Sequence, residues 1–162
     1  MIRHVWSVLC SRMIVDATSN NATLIDVIES IQIALTEPEP GSTPPAPTDR
    51  VTLPLQATFV TLWSRADLDV PVAGTQRIRL LSHRGTAMVS VESPIELEIG
   101  RRFRHLGSIN GLPTEGSGTC EIEVSWKVLP DDQWNVAARI PIEVTITPTP
   151  PADIPDEVNS VH

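Results

Sequence analysis

Several features that would point to a specific chemistry are missing from this chain of 162 residues. It has no GxSxG elbow, Walker loop, HExxH or CxxC motif, the short patterns of hydrolases, nucleotide-binding proteins, metalloproteases and thiol redox proteins. Tyrosine does not occur, and two phenylalanines and four tryptophans supply all the large aromatic side chains. The missing motifs predict a protein that is not an enzyme and that uses no cofactor.

Basic residues are also scarce. The chain has 12 lysine and arginine residues against 20 aspartate and glutamate residues, which gives a net charge of -8, and Lys127 is its one lysine. Nucleic-acid binding depends on a basic surface that neutralises phosphates, so this balance argues against a nucleic-acid partner. The same negative charge favours solubility and keeps identical molecules apart.

No long apolar run is present in the sequence. The first 16 residues are mostly apolar but are interrupted by Arg3, His4, Ser7, Ser11 and Arg12. A transmembrane helix needs about 20 consecutive apolar residues. A secretory signal needs an uninterrupted apolar stretch followed by a small-residue cleavage site. We therefore expect no membrane association and a cytoplasmic location.

Only two cysteines are present, Cys10 and Cys120, and both fall in apolar segments. In a reducing cytoplasm they are expected to be free and buried, where they act as small apolar side chains. The alternative is a pair that meets across a two-layered β-structure, as in many secreted domains. A structural zinc site is not expected, because it needs four ligands.

The dominant pattern that is present is an alternation of apolar and polar side chains with a period of two. It is clearest in four segments: Val51 to Trp63, Ile95 to Ile99, Cys120 to Val128 and Val136 to Ile146. In each segment one row of side chains is apolar and the intervening row is mostly polar. This pattern indicates strands that bury one face and leave the other in water, as antiparallel sheets do.

Weaker signals complete the set of strands. Arg77 to Leu81 and Thr86 to Glu92 flank a four-residue connection that ends in Gly85, as in a hairpin. Thr23 to Leu35 fits both a helical stripe and a strand, and its six β-branched residues favour the strand. Asp16 to Asn21, just before it, suits a hairpin turn.

Two proline-rich segments lack any core pattern. Residues 36–49 and 147–162 together hold nine of the 15 prolines. Proline fixes the backbone and removes a hydrogen-bond donor, so the first is expected to be a long loop and the second a disordered tail. Residues 1–146 are expected to form one domain, since the chain has the length of a single domain.

About eight strands joined by turns, with no repeated helical pattern, predict an all-β fold. The expected architecture is a two-sheet antiparallel β-sandwich with an immunoglobulin-like Greek key. A chain of this length buries enough surface to hold such a fold without a disulfide or a metal ion.

Two regions of the chain carry a recognisable pattern. The first is an apolar strand that contains Cys10, a polar turn, and a strand that reads Thr23-Leu24-Ile25-Asp26-Val27-Ile28-Glu29. The second begins at Gly111-Leu112-Pro113 and ends with a strand that reads Ala138-Arg139-Ile140-Pro141-Ile142-Glu143-Val144. Together they cover about half the chain, which resembles a family of small bacterial proteins of unknown function. The resemblance implies an immunoglobulin-like or C2-like sandwich and no catalytic residue.

Four aspartates lie in two predicted turns: Asp67, Asp69, Asp131 and Asp132. Calcium prefers six to eight oxygen ligands, and C2-like sandwiches bind it through aspartates on end loops. If the two turns share one end of the molecule, a calcium site is conceivable there. Aspartate is also an ordinary turn residue, and the more economical interpretation is that no metal is bound.

The one basic run, Arg101, Arg102, Arg104 and His105, lies in a further candidate strand from Arg101 to Ser108. A local basic patch on an acidic protein can meet an acidic partner or a phosphate group. The alternative is a solvated strand whose arginines pair across the sheet with Glu96, Glu98, Glu121 and Glu123. Trp134 is a second candidate for an interface, as an exposed anchor beside a turn, unless it caps the core.

These observations favour a non-enzymatic binding or structural module that associates with a protein partner or with itself. Sandwiches have edge strands, which pair with neighbouring chains. A calcium- or ligand-binding C2-like domain is the alternative from another class. A component of a virion or of a secretion apparatus is a third hypothesis. Fold alone selects none of them.

Overall fold

The structure is a computed structural model, and it describes residues 1–36, 50–67, 70–97, 101–128, 130 and 132–149. The protein is all-β. Among the described residues there are nine strands: β1 (Ile2–Val15), β2 (Ala22–Val27), β3 (Ser30–Thr36), β4 (Val51–Arg65), β5 (Val72–Leu81), β6 (Ala87–Leu97), β7 (Arg102–Thr114), β8 (Gly118–Val128) and β9 (Asn135–Thr149). No helix occurs within these ranges, and hence none that is long and apolar enough to cross a membrane.

The strands form two sheets, one of which is strongly curled. Sheet I has the order β2-β1-β4-β7, and sheet II has the order β3-β9-β8-β5-β6. Three of the four alternating segments predicted from the sequence become interior strands, namely β4, β8 and β9, and the described part of the segment that begins at Ile95 lies in the edge strand β6. In β4, for example, Leu53, Ala57 and Phe59 are buried, while Thr52 and Gln56 on the opposite face are exposed.

Both predicted hairpin turns are confirmed. The backbone N–H of Asp16 donates to the carbonyl of Asn21 at 2.9 Å and closes the turn between β1 and β2. The N–H of Ser82 donates to the carbonyl of Thr86 at 2.8 Å in the turn between β5 and β6. Gly85 in that turn has a φ of 77°, a left-handed conformation that glycine adopts without steric cost.

Residues 23–35 are strand and not helix, as the β-branched residues indicate. They do not form one strand, however. β2 belongs to sheet I and β3 to sheet II, and the chain passes from one to the other at Ile28 and Glu29. Asp26, which has a φ of 50°, lies just before this crossing.

The number of described strands agrees with the expected number of about eight, but the expected antiparallel arrangement is wrong for one pair of strands. Nine strands are described, and β3 runs parallel to β9, with Ile31 opposite Val144. Alternation of side chains reports which face is buried, but it carries no information about strand direction. The chain enters sheet II from the β2–β3 crossing beside β9, and this entry sets the parallel direction.

The ends of two strands depart from the expected boundaries. β3 continues to Thr36, and β9 continues to Thr149, three residues beyond the expected end of the domain. Parallel pairing of Thr36 with Thr149 joins these two ends. The rest of the predicted loop and of the predicted tail lies outside the described residues.

The core lies between the two sheets and contains side chains from both. Sheet I contributes Leu9, Phe59, Trp63 and Leu112, and sheet II contributes Ile95, Cys120, Ile122 and Ile142. Trp63 is fully buried, and Trp126 packs against the core, as their positions in the alternating rows predict.

Both cysteines are free and fully buried, in line with the interpretation that they act as small apolar side chains. Cys120 belongs to the core between the sheets. Cys10 lies in the other row of β1, next to core residue Leu9, and is opposite Thr58 on β4. The two thiols therefore lie on different faces of different sheets. Burial raises the pKa of both thiols, which makes them poor nucleophiles.

A polar network crosses the core. Trp63 Nε1 donates to Gln76 Oε1 at 2.8 Å, and the Thr61 hydroxyl donates to the same oxygen at 2.9 Å. Gln76 Nε2 in turn donates to the Ser93 hydroxyl at 2.9 Å. Thr61, Trp63 and Gln76 are all 0% exposed. Because Gln76 lies on β5 and its two donors on β4, the network links the two sheets.

Candidate functional site

Each sheet ends in two edge strands, and one edge of each sheet lies beside the same cleft. β7 is an edge of sheet I, and β6 is an edge of sheet II. The two strands are consecutive in the chain, but they do not pair with each other. The inner faces of the two sheets are therefore accessible between them.

A cavity of about 270 Å³ lies in this gap. Its floor consists of core side chains, and its walls are the inner rows of the two edge strands. The floor residues are Phe59, Leu80, Leu112 and Ile122, and the wall residues include Val89, Val91, His105, Gly107 and Ile109. We call this cavity the β6–β7 cleft. Its lining is predominantly apolar.

One glycine on β7 leaves room in the cleft, and two exposed valines on β6 show that the cleft is open. Gly107 falls in the inner row of β7, opposite Phe59, where any other residue would project a side chain toward the cavity. A Cβ placed on Gly107 would meet nothing nearer than 3.8 Å, so the space beside it is free. Val89 and Val91 in the inner row of β6 are 41% and 51% exposed, although their row otherwise faces the core.

His105 is the one titratable side chain in the lining of the cleft. It is half-buried, and burial lowers the pKa of its imidazole because the charged form loses hydration. The imidazole is therefore neutral at neutral pH, and the cleft carries no formal charge there. The lining is that of a surface for apolar groups, with His105, Ser108 and Asn110 as its polar side chains.

The lowered pKa of His105 predicts that acid weakens the fold. Between the folded pKa and the ordinary value of 6.5, the unfolded chain binds more protons than the folded one. The free energy of unfolding is therefore expected to fall as the pH drops below about 6.5. Burial also lowers the pKa of His4, which acts in the same direction. Urea titrations from pH 7.5 to pH 5 measure this slope.

A matched pair of substitutions shows which histidine causes the pH dependence of the free energy of unfolding. His105→Gln is expected to reduce the loss of stability between pH 7 and pH 5. His83→Gln changes an exposed histidine in the β5–β6 turn and is expected to leave the loss as it is in the parent protein. If His105→Gln leaves the slope unchanged, burial in the cleft does not lower the pKa of His105.

The predicted basic run borders the cleft. Arg102 and Arg104 belong to the outer row of β7, and Arg101 precedes the strand. The Arg104 guanidinium donates from Nη2 to the carbonyl oxygen of Asn20 at 3.1 Å, which ties β7 to the β1–β2 turn at the other side of sheet I. No ion pair of any of these three arginines occurs among the described residues.

The expected pairing of this run with glutamates across the sheet is therefore wrong for the glutamates that the structure describes. Glu121 and Glu123 are on β8 and Glu96 is on β6, all in sheet II, whereas the run is in sheet I. Glu98 lies outside the described residues. The sequence does not specify which strands share a sheet. The predicted ion pairs required β7 to lie beside the strands that carry these glutamates, and it does not.

The glutamates of β8 have different partners, which sequence reasoning missed. Glu123 is 2% exposed on the outer face of sheet II, between Arg79 on β5 and Arg139 on β9. Arg79 Nε donates to its Oε1 at 3.2 Å, and Arg139 Nη2 donates to its Oε2 at 3.1 Å. Burial by itself raises the pKa of Glu123, but the two arginines together hold it below its ordinary value.

Trp134 is half-buried on the same outer face of sheet II and does not line the cleft. Its ring packs against Arg77, whose guanidinium carbon is 4.2 Å from the ring centroid, and against Lys127, whose Nζ is at 5.1 Å. These cation–π contacts hold the tryptophan over β5 and β8. Its predicted role as an interface anchor stays a prediction.

The four candidate calcium ligands are only partly placed. Asp67 is exposed after the end of β4, and Asp132 is exposed and pairs with Lys127 Nζ at 3.3 Å. Asp69 and Asp131 lie outside the described residues. Pairing of Gly74 with Val128 puts the two turns at the same end of sheet II. Within the described ranges, no group of three or more His, Cys, Asp or Glu side chains is placed to hold a metal ion.

A second cavity of about 540 Å³ lies at the opposite side of the molecule, where the chain crosses from β2 to β3. It is lined by Ser7, Leu9, Ile28, Glu29, Pro141 and Glu143, among others. Its lining mixes carboxylates and hydroxyls with apolar groups, and a backbone hydrogen bond of 3.0 Å from Glu143 N–H to the carbonyl of Glu29 crosses the same region. The β6–β7 cleft is the more uniformly apolar of the two.

Comparison with known proteins adds no assignment. No family model matches the chain, and a search of the curated proteins finds no significant match.

Proposed function

We propose that this protein is a non-enzymatic binding module whose β6–β7 cleft receives apolar side chains of a partner protein. The observation that carries the proposal is a cavity with a floor of core residues. It opens between two edge strands, β6 and β7, that do not pair with each other. Such concave apolar sites, with few polar groups, are typical of binding sites. Edge strands with free backbone groups are where proteins add a segment of another chain.

The exposed valines of the cleft favour an occupant. Val89 and Val91 belong to a row of side chains that elsewhere on β5 and β8 is covered by sheet I. Burial of a fully exposed valine side chain is worth about 1.5–3 kcal/mol. A partner that covers both valines and fills the cavity gains this free energy without a conformational change in the two sheets. The half-buried His105 is neutral and does not oppose it.

The proposed architecture behind this site is a two-sheet sandwich with an immunoglobulin-like Greek key. In support, β4 and β7 are neighbours in sheet I, while the strands that follow them, β5 and β8, are neighbours in sheet II. Both connections thus pass from one sheet to the other, and the core contains side chains from both sheets. In this arrangement the cleft is the position beside β7 that a further strand would occupy.

Site-specific photo-crosslinking tests the proposal. A photoreactive benzoylphenylalanine at Val91, in the full chain expressed in its native host, is expected to yield a discrete adduct with another protein. The same replacement at Val136 is the control, because this valine is also in sheet II and is similarly exposed, 55% against 51%. Val136 is on β9, away from the cleft, and is expected to give no such adduct.

A cleft-filling substitution makes the test specific. Gly107→Leu projects a side chain into the cavity and is expected to abolish the Val91 adduct while the protein stays folded by circular dichroism. An adduct that persists with Gly107→Leu, that forms equally at Val136, or that consists of two copies of this chain would overturn the proposal of a different protein in the cleft. Failure to form any adduct at Val91 would overturn it as well.

A further inference from the structure

We infer that the occupant of the cleft is an extended segment that adds to the free edge of β7 as a further strand, with apolar side chains alternating with acidic ones. The inference rests on the proposed function and specifies the chemistry of the partner. Three features of the described residues carry it: the difference between the two edges, the inner row of β7 and the outer row of β7.

The two edges beside the cleft differ in their capacity to accept a strand. β6 contains Pro94, which has no backbone N–H, and its outer row carries Glu92 and Glu96. Proline and charged residues on an edge strand oppose pairing with another chain. From Arg102 to Asn110, β7 contains no proline, and within the described part of the chain its backbone pairs with β4 on one side only. β7 is therefore the edge that offers a continuous row of free backbone groups.

The inner row of β7 provides room for the apolar half of the segment. This row consists of Phe103, His105, Gly107 and Ile109, which face the cleft or the core. In a strand added beside β7, every second side chain points to the same face as this row. Those side chains enter the cavity of about 270 Å³ next to Gly107 and contact Val89 and Val91 on the far wall. They must be apolar, because the lining of the cleft offers few hydrogen-bond partners.

The outer row of β7 determines which side chains suit the other face of the added segment. Arg102 and Arg104 lie in this row, and the described residues provide neither with a carboxylate. The Arg104 guanidinium already donates to Asn20 in the β1–β2 turn, whereas Arg102 is exposed. Side chains directly opposite on adjacent strands are about 4.5–5.5 Å apart at Cβ, and opposite charges there attract. Aspartate or glutamate in the alternate positions of the added strand therefore meets Arg102, the arginine of this row for which the described residues provide no partner.

Designed peptides test the inference directly. A fluorescein-labelled peptide of four Glu-Ile repeats is titrated with the full chain, and binding is followed by fluorescence anisotropy. A peptide of four Lys-Ile repeats is the matched control with the same apolar pattern. The protein has a net charge of -8, so long-range attraction favours the lysine peptide. Tighter binding of the glutamate peptide is expected, and it requires a local positive field that outweighs the net charge; the substitutions below test whether this field is that of β7.

Backbone methylation tests whether the peptide binds as a strand. One peptide carries N-methyl groups on all isoleucines and another on all glutamates, so that each blocks the N–H groups of one edge. A strand pairs with β7 through one edge only, so one of the two peptides is expected to lose binding and the other to keep it. Equal binding of both methylated peptides would overturn strand addition, while the proposed function would stand because the cleft is still occupied.

Substitutions in the protein test the charge and the location. Arg102→Gln is expected to weaken the glutamate peptide about two- to fivefold, the range for a cross-strand charge pair. Arg12→Gln, at an exposed arginine on β1, is expected to leave the affinity unchanged. Gly107→Leu is expected to abolish binding of every peptide. If Gly107→Leu leaves binding intact, both this inference and the cleft itself are overturned; if Arg102→Gln alone has no effect, only the acidic chemistry is.

Discussion

Replacement of Gln76 by alanine is expected to lower the free energy of unfolding by about 3–4 kcal/mol. The substitution removes the oxygen that accepts hydrogen bonds from Trp63 Nε1 and from the Thr61 hydroxyl, and the amide that donates to Ser93. Trp63 Nε1 keeps its hydrogen bond to the Thr61 hydroxyl oxygen at 3.1 Å, so the Thr61 O–H is the buried donor left without an acceptor. Such a donor costs about 1–3 kcal/mol, and the cavity left by the missing atoms adds to this. Urea denaturation of the variant and the parent protein measures the difference.

Two further substitutions separate the causes of this effect. Gln76→Leu keeps most of the volume but not the hydrogen bonds, so it is expected to recover part of the loss. Gln56→Ala changes an exposed glutamine on β4 and is expected to shift the stability by no more than about 0.5 kcal/mol. If Gln76→Ala costs no more than Gln56→Ala, the network between the sheets contributes nothing to the fold.

Replacement of Glu123 by alanine is expected to cost about 3 kcal/mol, although the residue lies on the outer face of sheet II. The carboxylate is 2% exposed and neutralises Arg79 and Arg139 on the two neighbouring strands. Removal of one partner from a buried charge cluster leaves the others desolvated and unpaired, at a typical cost of about 3–5 kcal/mol. The value at Glu123 lies at the low end because Arg139 is 58% exposed and retains much of its hydration.

The pH dependence of this loss is the diagnostic feature. The two arginines hold the folded pKa of Glu123 below its ordinary value of 4.5. The carboxylate therefore contributes its full stabilisation above about pH 4.5, and the contribution disappears as the pH falls through the folded value. Glu123→Gln and the parent protein are thus expected to differ at pH 7 and to converge in strong acid.

Glu121→Ala is the matched control on the same strand. Its side chain is 40% exposed and lies 3.9 Å from Arg139, so its ion pair is screened by water and is worth at most about 1 kcal/mol. Chemical denaturation of the three variants between pH 3 and pH 7 provides the comparison. Equal losses for Glu121→Ala and Glu123→Ala would contradict a special role for the buried carboxylate.

The sequence alone determined which side chains face the core in the principal strands. Leu53, Phe59 and Trp63 on β4, and Cys120 and Ile122 on β8, are buried as the alternation predicts. The period of two is a property of the extended backbone, and it holds wherever the strand is placed in the molecule. The hairpin at Gly85 is equally local, since four residues and one glycine determine its path.

Only the tertiary structure decided which strands are neighbours, and every candidate site depends on that. Glu123 meets Arg79 and Arg139 because β5 and β9 flank β8, a pairing between residues 44 and 16 positions apart in the chain. The cleft exists because β6 and β7, although consecutive, end different sheets. Alternation shows which face of a strand is buried, but not which other strand lies beside it. Neighbouring strands are selected by the packing of all nine described strands together, which no local sequence pattern encodes.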